Sequence, residues 1–198
     1  MSPEFLGKVG SHVGAWLGFL FCCSLLLCAQ NTYGGTTEGL QKYHAVYSKL
    51  LSDKDYEMAE LVLSRGLQEF PYEHSLYYAR GVLRYDYLHK YREATEDYIH
   101  VVKLVKGSVA EHEVLYYRMC KSFFKLKEYD SAIAVCSRAI DIAEENKKFR
   151  YDKAFLLRAE IYNATGKYEE AQYDLMTVVS GNSVYSGKAK EFLESLGK

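Results

Sequence analysis

Proline is scarce in this chain of 198 residues. Pro3 lies close to the start, and Pro71 is the only proline in the rest of the sequence. Because proline ends or kinks helices, its near absence permits long helices and leaves few positions for rigid loops. The composition therefore favours a helical protein.

The chain has no excess of charge of either sign. Its 25 basic and 26 acidic residues give a formal net charge of −1. A protein that binds nucleic acid needs a basic stripe or patch to neutralise phosphates, and no such cluster is visible here. We therefore expect no nucleic-acid partner.

Motifs for metal binding and catalysis are also missing. The six histidines are spread along the chain without an i, i+4 pair, and the five cysteines form no Cys-x-x-Cys. The sequence contains no glycine-rich phosphate loop, no nucleophile elbow and no carboxylate pair with an evident role. We predict that the protein is not an enzyme and has no metal site, no cofactor and no small-molecule substrate.

One long apolar run stands near the N-terminus. Residues 13–29 read VGAWLGFLFCCSLLLCA, in which Ser24 is the only plainly polar side chain. The run is slightly long for the core of a signal peptide and slightly short for a membrane-spanning helix. Three interpretations stay open: a signal cleaved after Ala29 or Gln30, an uncleaved membrane anchor, and lipid attachment at Cys28. All three predict a protein that is exported, periplasmic or held at the cell envelope, or one that is membrane-anchored through residues 13–29.

The remainder of the chain repeats itself. Four segments each carry a tyrosine followed three residues later by an alanine, and the alanines are 35, 38 and 39 residues apart: Tyr56/Ala59, Tyr91/Ala94, Tyr129/Ala132 and Tyr168/Ala171. Apolar residues in each segment recur at helical spacing on both sides of a short turn. A short turn makes two such helices lie antiparallel, so each segment is predicted to form a helical hairpin.

These repeats resemble the tetratricopeptide repeat family, whose period is about 34 residues. The resemblance implies an all-α solenoid of about four helical hairpins with a C-terminal capping helix. The predicted organisation is a signal or anchor at 1–29, a polar linker at 30–37, four repeats within 38–181 (about 38–72, 73–107, 112–145 and 151–181), and the capping helix at 182–198.

In this family the paired helices cross most closely at two positions of each repeat, which hold small side chains. A larger side chain there would push the helices apart, at a cost of about 1–3 kcal/mol. The residues that match these positions are Ala59, Gly81, Ala94, Cys120, Ala132, Ala159 and Ala171.

The family geometry also brings Cys120 and Cys136 into the core of one hairpin. Two interpretations stay open for this pair. The cysteines are either small buried apolar residues or a disulfide in an exported protein. A disulfide closing a loop of this length would contribute about 3 kcal/mol.

The first helices of such repeats line a concave groove. The matching residues in the middle of this chain are mostly aromatic: Tyr78, Val82, Tyr85, Tyr117, Lys121 and Phe124. Some co-chaperones of this family clamp the acidic end of a heat-shock chaperone through five basic or amide residues on these helices. Only Arg118 of the five matching positions (His44, Ser48, Ala79, Val114 and Arg118) has suitable chemistry, so we do not expect that clamp here.

These features together predict a non-catalytic protein–protein interaction scaffold, exported or membrane-tethered, that binds a peptide or helix segment of a partner in an aromatic groove. Two alternatives stay open. One is a membrane-anchored adaptor that faces the cytosol. The other is a non-catalytic subunit of an envelope enzyme or transport complex.

Overall fold

A computed structural model describes residues 36–105, 112–145 and 151–196 of the chain. Residues 1–29, with Cys28, and most of the predicted linker lie outside the described residues. The described part consists of α-helices, without β-strands, and a short turn joins the two helices of each hairpin. Its nine helices are α1 (Thr37–Ser52), α2 (Tyr56–Glu69), α3 (His74–Asp86), α4 (Tyr91–Leu104), α5 (His112–Lys125), α6 (Tyr129–Glu145), α7 (Asp152–Ala164), α8 (Tyr168–Ser180) and α9 (Ser186–Ser195).

Helices that are neighbours in sequence are neighbours in space. α1 packs on α2, α3 on α4, α5 on α6 and α7 on α8, and each hairpin contacts the next through α2–α3, α4–α5 and α6–α7. α9 packs on α8 at the end of the array. The predicted all-α solenoid of about four hairpins with a C-terminal capping helix is confirmed.

The turns inside the four hairpins share one backbone feature. One residue of each turn adopts a left-handed conformation, which ends the first helix: Lys54, His89, Lys127 and Gly166. In three turns the next residue donates its N–H to the carbonyl five positions earlier, as from Asp55 to Leu50 at 2.9 Å. In the second hairpin Lys90 instead reaches back six positions to Arg84, because this turn is one residue longer.

The small side chains that were predicted at the helix crossings are all buried. Ala59, Ala94, Ala132, Ala159 and Ala171 have no exposed surface, and Cys120 and Gly81 are also buried. At Gly81 a Cβ atom would lie 2.6 Å from Cε1 of Tyr98. The Tyr98 ring is fully buried between the helices and has no room to retreat, so α3 and α4 can pack this closely only with glycine at that position.

The third hairpin contains a disulfide. Cys120 on α5 and Cys136 on α6 are bonded, with their Cα atoms 5.3 Å apart and both residues fully buried. The second and fourth repeats have Gly81 and Ala159 at the position of Cys120. The bond therefore links the two helices of the third hairpin covalently within its core.

Two of the hairpins also contain a buried ionic group that sequence analysis did not anticipate. Arg158 on α7 donates two hydrogen bonds of 2.8 Å to the carboxylate of Asp174 on α8, and a third of 2.7 Å to Ser137 on α6. Asp174 is 1% exposed. The group thus ties the fourth hairpin internally and to the hairpin before it.

The same arrangement occurs two repeats earlier, in the second hairpin. Arg80 on α3 binds Asp97 on α4, at 2.7 Å for the shortest pair, and Ser64 on α2 at 3.0 Å. The interface between the second and third hairpins has apolar residues at the equivalent positions: Ile99, Met119 and Val135, which pack in one cluster. Polar and apolar groups therefore alternate at successive interfaces between the hairpins.

The capping helix covers the last hairpin. Ala189 of α9 is fully buried, and Phe192 and Leu193 pack against the cluster formed by α7 and α8. A terminal hairpin would otherwise expose its apolar face to water, so such an array needs a cap.

Candidate interaction groove

A groove runs along the face formed by the first helices of the later hairpins. Two adjoining cavities of about 490 and 510 Å³ share Tyr117, Lys121, Lys153 and Tyr185 in their lining. We call the two together the C-terminal groove. Its floor comes from α5 and α7, and one wall comes from Tyr185 and the start of α9.

The structure brings four of the six predicted groove residues together. Tyr85, Tyr117, Lys121 and Phe124 all line the 490 Å³ cavity. Of these, Tyr85 presents only an edge, because it is 8% exposed and otherwise belongs to the core.

The other two predicted groove residues do not line either cavity. Tyr78 and Val82 are half-buried and pack against the core between α3, α4 and α5. The ring of Tyr78 lies 6.2 Å from that of Tyr98 and 5.9 Å from the guanidinium carbon of Arg118. Tyr78 and Val82 therefore contribute to packing between neighbouring helices.

Sequence analysis missed the far wall of the groove. Lys153 lies near the start of α7, and Tyr185 and Lys188 come from the capping segment. The capping helix was expected only to cover the last hairpin. The apolar stripe of the capping helix does not indicate that the other side of this helix borders the groove. The only available signal is the spacing of Tyr185 and Lys188 by three residues, which places both on one side of a helix.

Positive charge is concentrated in the groove. Arg118 donates to Asp86 at 3.1 Å, and Lys188 donates to Glu160 at 3.3 Å. Lys121, Lys125 and Lys153 form no ion pair with any residue in the described part of the chain. Three ammonium groups thus border the groove without a carboxylate partner there.

Lys121 is held over an aromatic face. Its Nζ lies 4.3 Å from the centre of the Tyr85 ring, within the range of a cation–π contact. Burial lowers the pKa of Lys121, the positive charges of Arg118 and Lys125 lower it further, and Asp86 acts in the opposite direction. The ammonium group is therefore partly desolvated and lies among charges of its own sign.

The tyrosines of the groove are neutral hydrogen-bonding groups. Burial raises the pKa of Tyr85 to about 12 and also raises that of Tyr117. Their hydroxyl groups stay protonated at physiological pH and can donate to an acceptor. The groove combines apolar ring surface with donors and positive charge.

Neither a metal centre nor a membrane-spanning helix is found in residues 36–105, 112–145 and 151–196. No cluster of three or more histidine, cysteine, aspartate or glutamate side chains in these ranges could hold a metal ion. None of the helices there has both the length and the apolar character needed to cross a bilayer.

Comparison with known proteins identifies the fold. No protein-family model matches the sequence, and no curated protein matches it significantly. Among solved structures, the chain is similar to YrrB, described as "a TPR protein with an unusual peptide-binding site", with a TM-score of 0.58 and 19% identity over 71% of this chain and 67% of YrrB. The chain has the tetratricopeptide repeat fold.

Other tetratricopeptide-like arrays agree with that assignment. MamA from Desulfovibrio magneticus RS-1 has a TM-score of 0.61 at 19% identity, over 72% of this chain and 75% of MamA. A chain of the Cut9–Hcn1 assembly of the APC/C has a TM-score of 0.61 at 16% identity, over 79% of this chain and 29% of its own length. The resemblance read from the tyrosine and alanine spacing is confirmed, and at these identities it concerns the fold.

Proposed function

We propose that this protein is a non-catalytic interaction scaffold that binds a segment of another protein in the C-terminal groove. The observation that carries the proposal is an open groove with Tyr117 and Phe124 both in the lining of its 490 Å³ cavity. Both side chains are partly buried, and aromatic residues in a concave site are among the groups that most often dominate binding energy at protein interfaces. An extended or helical segment fits a groove of this kind better than a globular surface does.

The similarity to YrrB supports the same interpretation. That protein is described as having a peptide-binding site, and it shares the fold of this chain. Fold alone does not fix function, so the proposal depends on the groove residues of this chain and has to be tested there.

Substitution in the groove provides that test. In Tyr117→Ala with Phe124→Ala, we expect the amount of partner that co-purifies from native cells to fall at least tenfold, because two hot-spot side chains are lost. The matched control is Tyr72→Ala with Tyr173→Ala. It removes two aromatic rings that are 75% and 70% exposed and lie outside the groove.

The control variant is expected to retain the partner at the wild-type level. Both variants are first compared by circular dichroism and thermal unfolding, so that a loss of fold is recognised. Equal retention of the partner by the two folded variants would show that the groove is not the binding site.

We further propose that the repeat array is exported or tethered at the cell envelope. The Cys120–Cys136 bond supports this location, because structural disulfides persist in oxidising compartments and are rare in the cytosol. Residues 13–29 then act as a cleaved signal, a retained anchor or, with Cys28, a lipid attachment site. Both alternatives stay as proposals: an adaptor anchored on the cytosolic side, and a non-catalytic subunit of an envelope complex.

The mass of the mature protein, measured without reductant, distinguishes these cases. We expect a chain that begins near Gln30 or Asn31 and is two hydrogens lighter than its reduced form. A lipid-shifted mass beginning at Cys28 would indicate a lipoprotein. An intact N-terminus with free thiols in the membrane fraction would contradict export and favour the cytosol-facing adaptor.

A further inference from the structure

We propose that the C-terminal groove selects an acidic partner segment, in which a carboxylate is received by Lys121 and Lys153 and a neighbouring apolar side chain packs on Tyr117. This inference rests on the proposed function and names the chemistry of its ligand. It follows from how charge and apolar surface are distributed around the groove.

The charges in the groove are unbalanced. Its lining contains five basic residues and three acidic ones, and two of those acids, Asp86 and Glu160, are already bound to Arg118 and Lys188. The third acid, Asp152, is 6% exposed and presents almost no surface to a ligand. The charge that a ligand meets is therefore mainly that of Lys121, Lys125 and Lys153.

A concave site lined by one sign of charge concentrates its field on a ligand of the opposite sign. Lys121 and Lys153 border both cavities, so they lie at the junction of the groove. Their ammonium groups lie 4.3 Å from the Tyr85 ring and 5.9 Å from the Tyr185 ring. Aromatic faces at these distances hold the lysines in place without neutralising them, and a carboxylate of the partner would supply the missing counter-charge.

The lowered pKa of Lys121 reflects its partial burial and the excess of positive charge around it. Burial and the charges of Arg118 and Lys125 lower it, and Asp86 only partly opposes them. A bound carboxylate would stabilise the charged form and raise this pKa again. The ammonium group thus gains more from an acidic ligand than a fully hydrated lysine would.

Apolar surface at the edge of the groove explains why we expect an apolar side chain next to the acid of the partner segment. Val184, between α8 and α9, lines the groove and is 92% exposed. Together with Tyr117 and Tyr185 it offers apolar surface beside the lysines. Neither Lys121 nor Lys153 is one of the five positions that match the chaperone-tail clamp, so the proposed contact differs from that clamp.

A library of random peptides displayed on phage provides the probe. We expect selection on the wild-type protein to enrich peptides with aspartate, glutamate or a free C-terminal carboxylate next to an aromatic or aliphatic residue. A selected peptide with its acid changed to the amide is expected to bind at least tenfold more weakly. Lys121→Met with Lys153→Met should weaken binding of the acidic peptide by a similar factor.

The amide peptide and the lysine variant are then combined in a double-mutant cycle. The amide change is expected to have little further effect on the lysine variant, because the same contact has already been removed. The charge-matched control is Lys103→Met with Lys190→Met, which changes the net charge equally at exposed positions outside the groove. It should bind the acidic peptide within about twofold of the wild type at physiological salt, where the Debye length is about 8 Å.

The outcomes separate this inference from the proposed function. One contrary outcome is that the enriched peptides lack acids and yet bind more weakly to the variant Tyr117→Ala with Phe124→Ala than to the wild type. That result would overturn the acidic selectivity and leave the groove as the binding site. Equal loss of binding in the groove and control lysine variants would show a non-specific charge effect and also overturn it. Enrichment of no peptide that depends on Tyr117 or Phe124 would contradict both the inference and the proposed function.

Discussion

Replacing Asp174 with alanine is expected to lower the free energy of unfolding by about 3–5 kcal/mol. The change removes the partner of Arg158 and leaves a charged guanidinium group between α6, α7 and α8. Asp174 is 1% exposed and accepts two hydrogen bonds of 2.8 Å, so water cannot easily replace it. Urea denaturation followed by circular dichroism would measure the loss.

The third hairpin provides the matched control for this prediction. Where it meets the second hairpin, the apolar residues Ile99, Met119 and Val135 occupy the positions that Ser137, Arg158 and Asp174 occupy between the third and fourth hairpins. Transferring them as Ser137→Ile, Arg158→Met and Asp174→Val is expected to restore stability to within about 2 kcal/mol of the wild type, or to exceed it. A loss below about 1 kcal/mol in Asp174→Ala would contradict the buried ion pair.

Reducing the Cys120–Cys136 bond is expected to lower the free energy of unfolding by about 3 kcal/mol. The unfolded chain then regains the conformational entropy that a cross-link between residues 16 positions apart removes from it. For a chain of this size the loss of stability corresponds to a fall in Tm of about 6–12 °C. The comparison uses the same wild-type protein with and without reductant, so no packing atoms are lost. Differential scanning calorimetry would measure the shift.

The double variant Cys120→Ala with Cys136→Ala serves as the control for reductant. Its Tm should lie at or below that of the reduced wild type and should not respond to reductant. An equal Tm for oxidised and reduced wild-type protein would show that the bond is either unformed or without effect on stability.

The repeat fold was predictable because its main determinants are local. The alanine after each tyrosine fixes where two helices cross, as at Ala132 and Ala171, and the short turns fix their antiparallel direction. These signals recur at a nearly constant interval, so the period could be read from the sequence alone. The same regularity located the small residues, including Gly81, whose missing Cβ gives space to Tyr98.

The buried ionic groups were not predicted because their members are distant in sequence. Arg158 and Asp174 lie on different helices, and a charged side chain on an amphipathic helix is usually solvent-exposed. A signal was nevertheless present in the second and fourth repeats. In both, arginine directly precedes the small residue of the first helix, and aspartate follows the alanine of the second helix by three residues. Comparing repeats position by position would have identified the pairs.

The groove was predicted only in part for a similar reason. Tyr117, Lys121 and Phe124 follow from the repeat pattern, since they lie on one side of α5. Tyr185 and Lys188 belong to a helix outside the repeats, and its orientation on α8 depends on packing that no periodicity specifies. Tyr78 and Val82 follow the pattern, yet they pack partly against neighbouring helices and line neither cavity.

Site-specific photo-crosslinking in native cells tests the central claim most directly. A photoreactive phenylalanine analogue is placed singly at Tyr117, at Phe124 and, as the control, at the exposed Tyr173 of α8. The account predicts the same partner adduct from the two groove positions and none from position 173. Adducts from position 173, with none from positions 117 and 124, would contradict binding in the C-terminal groove.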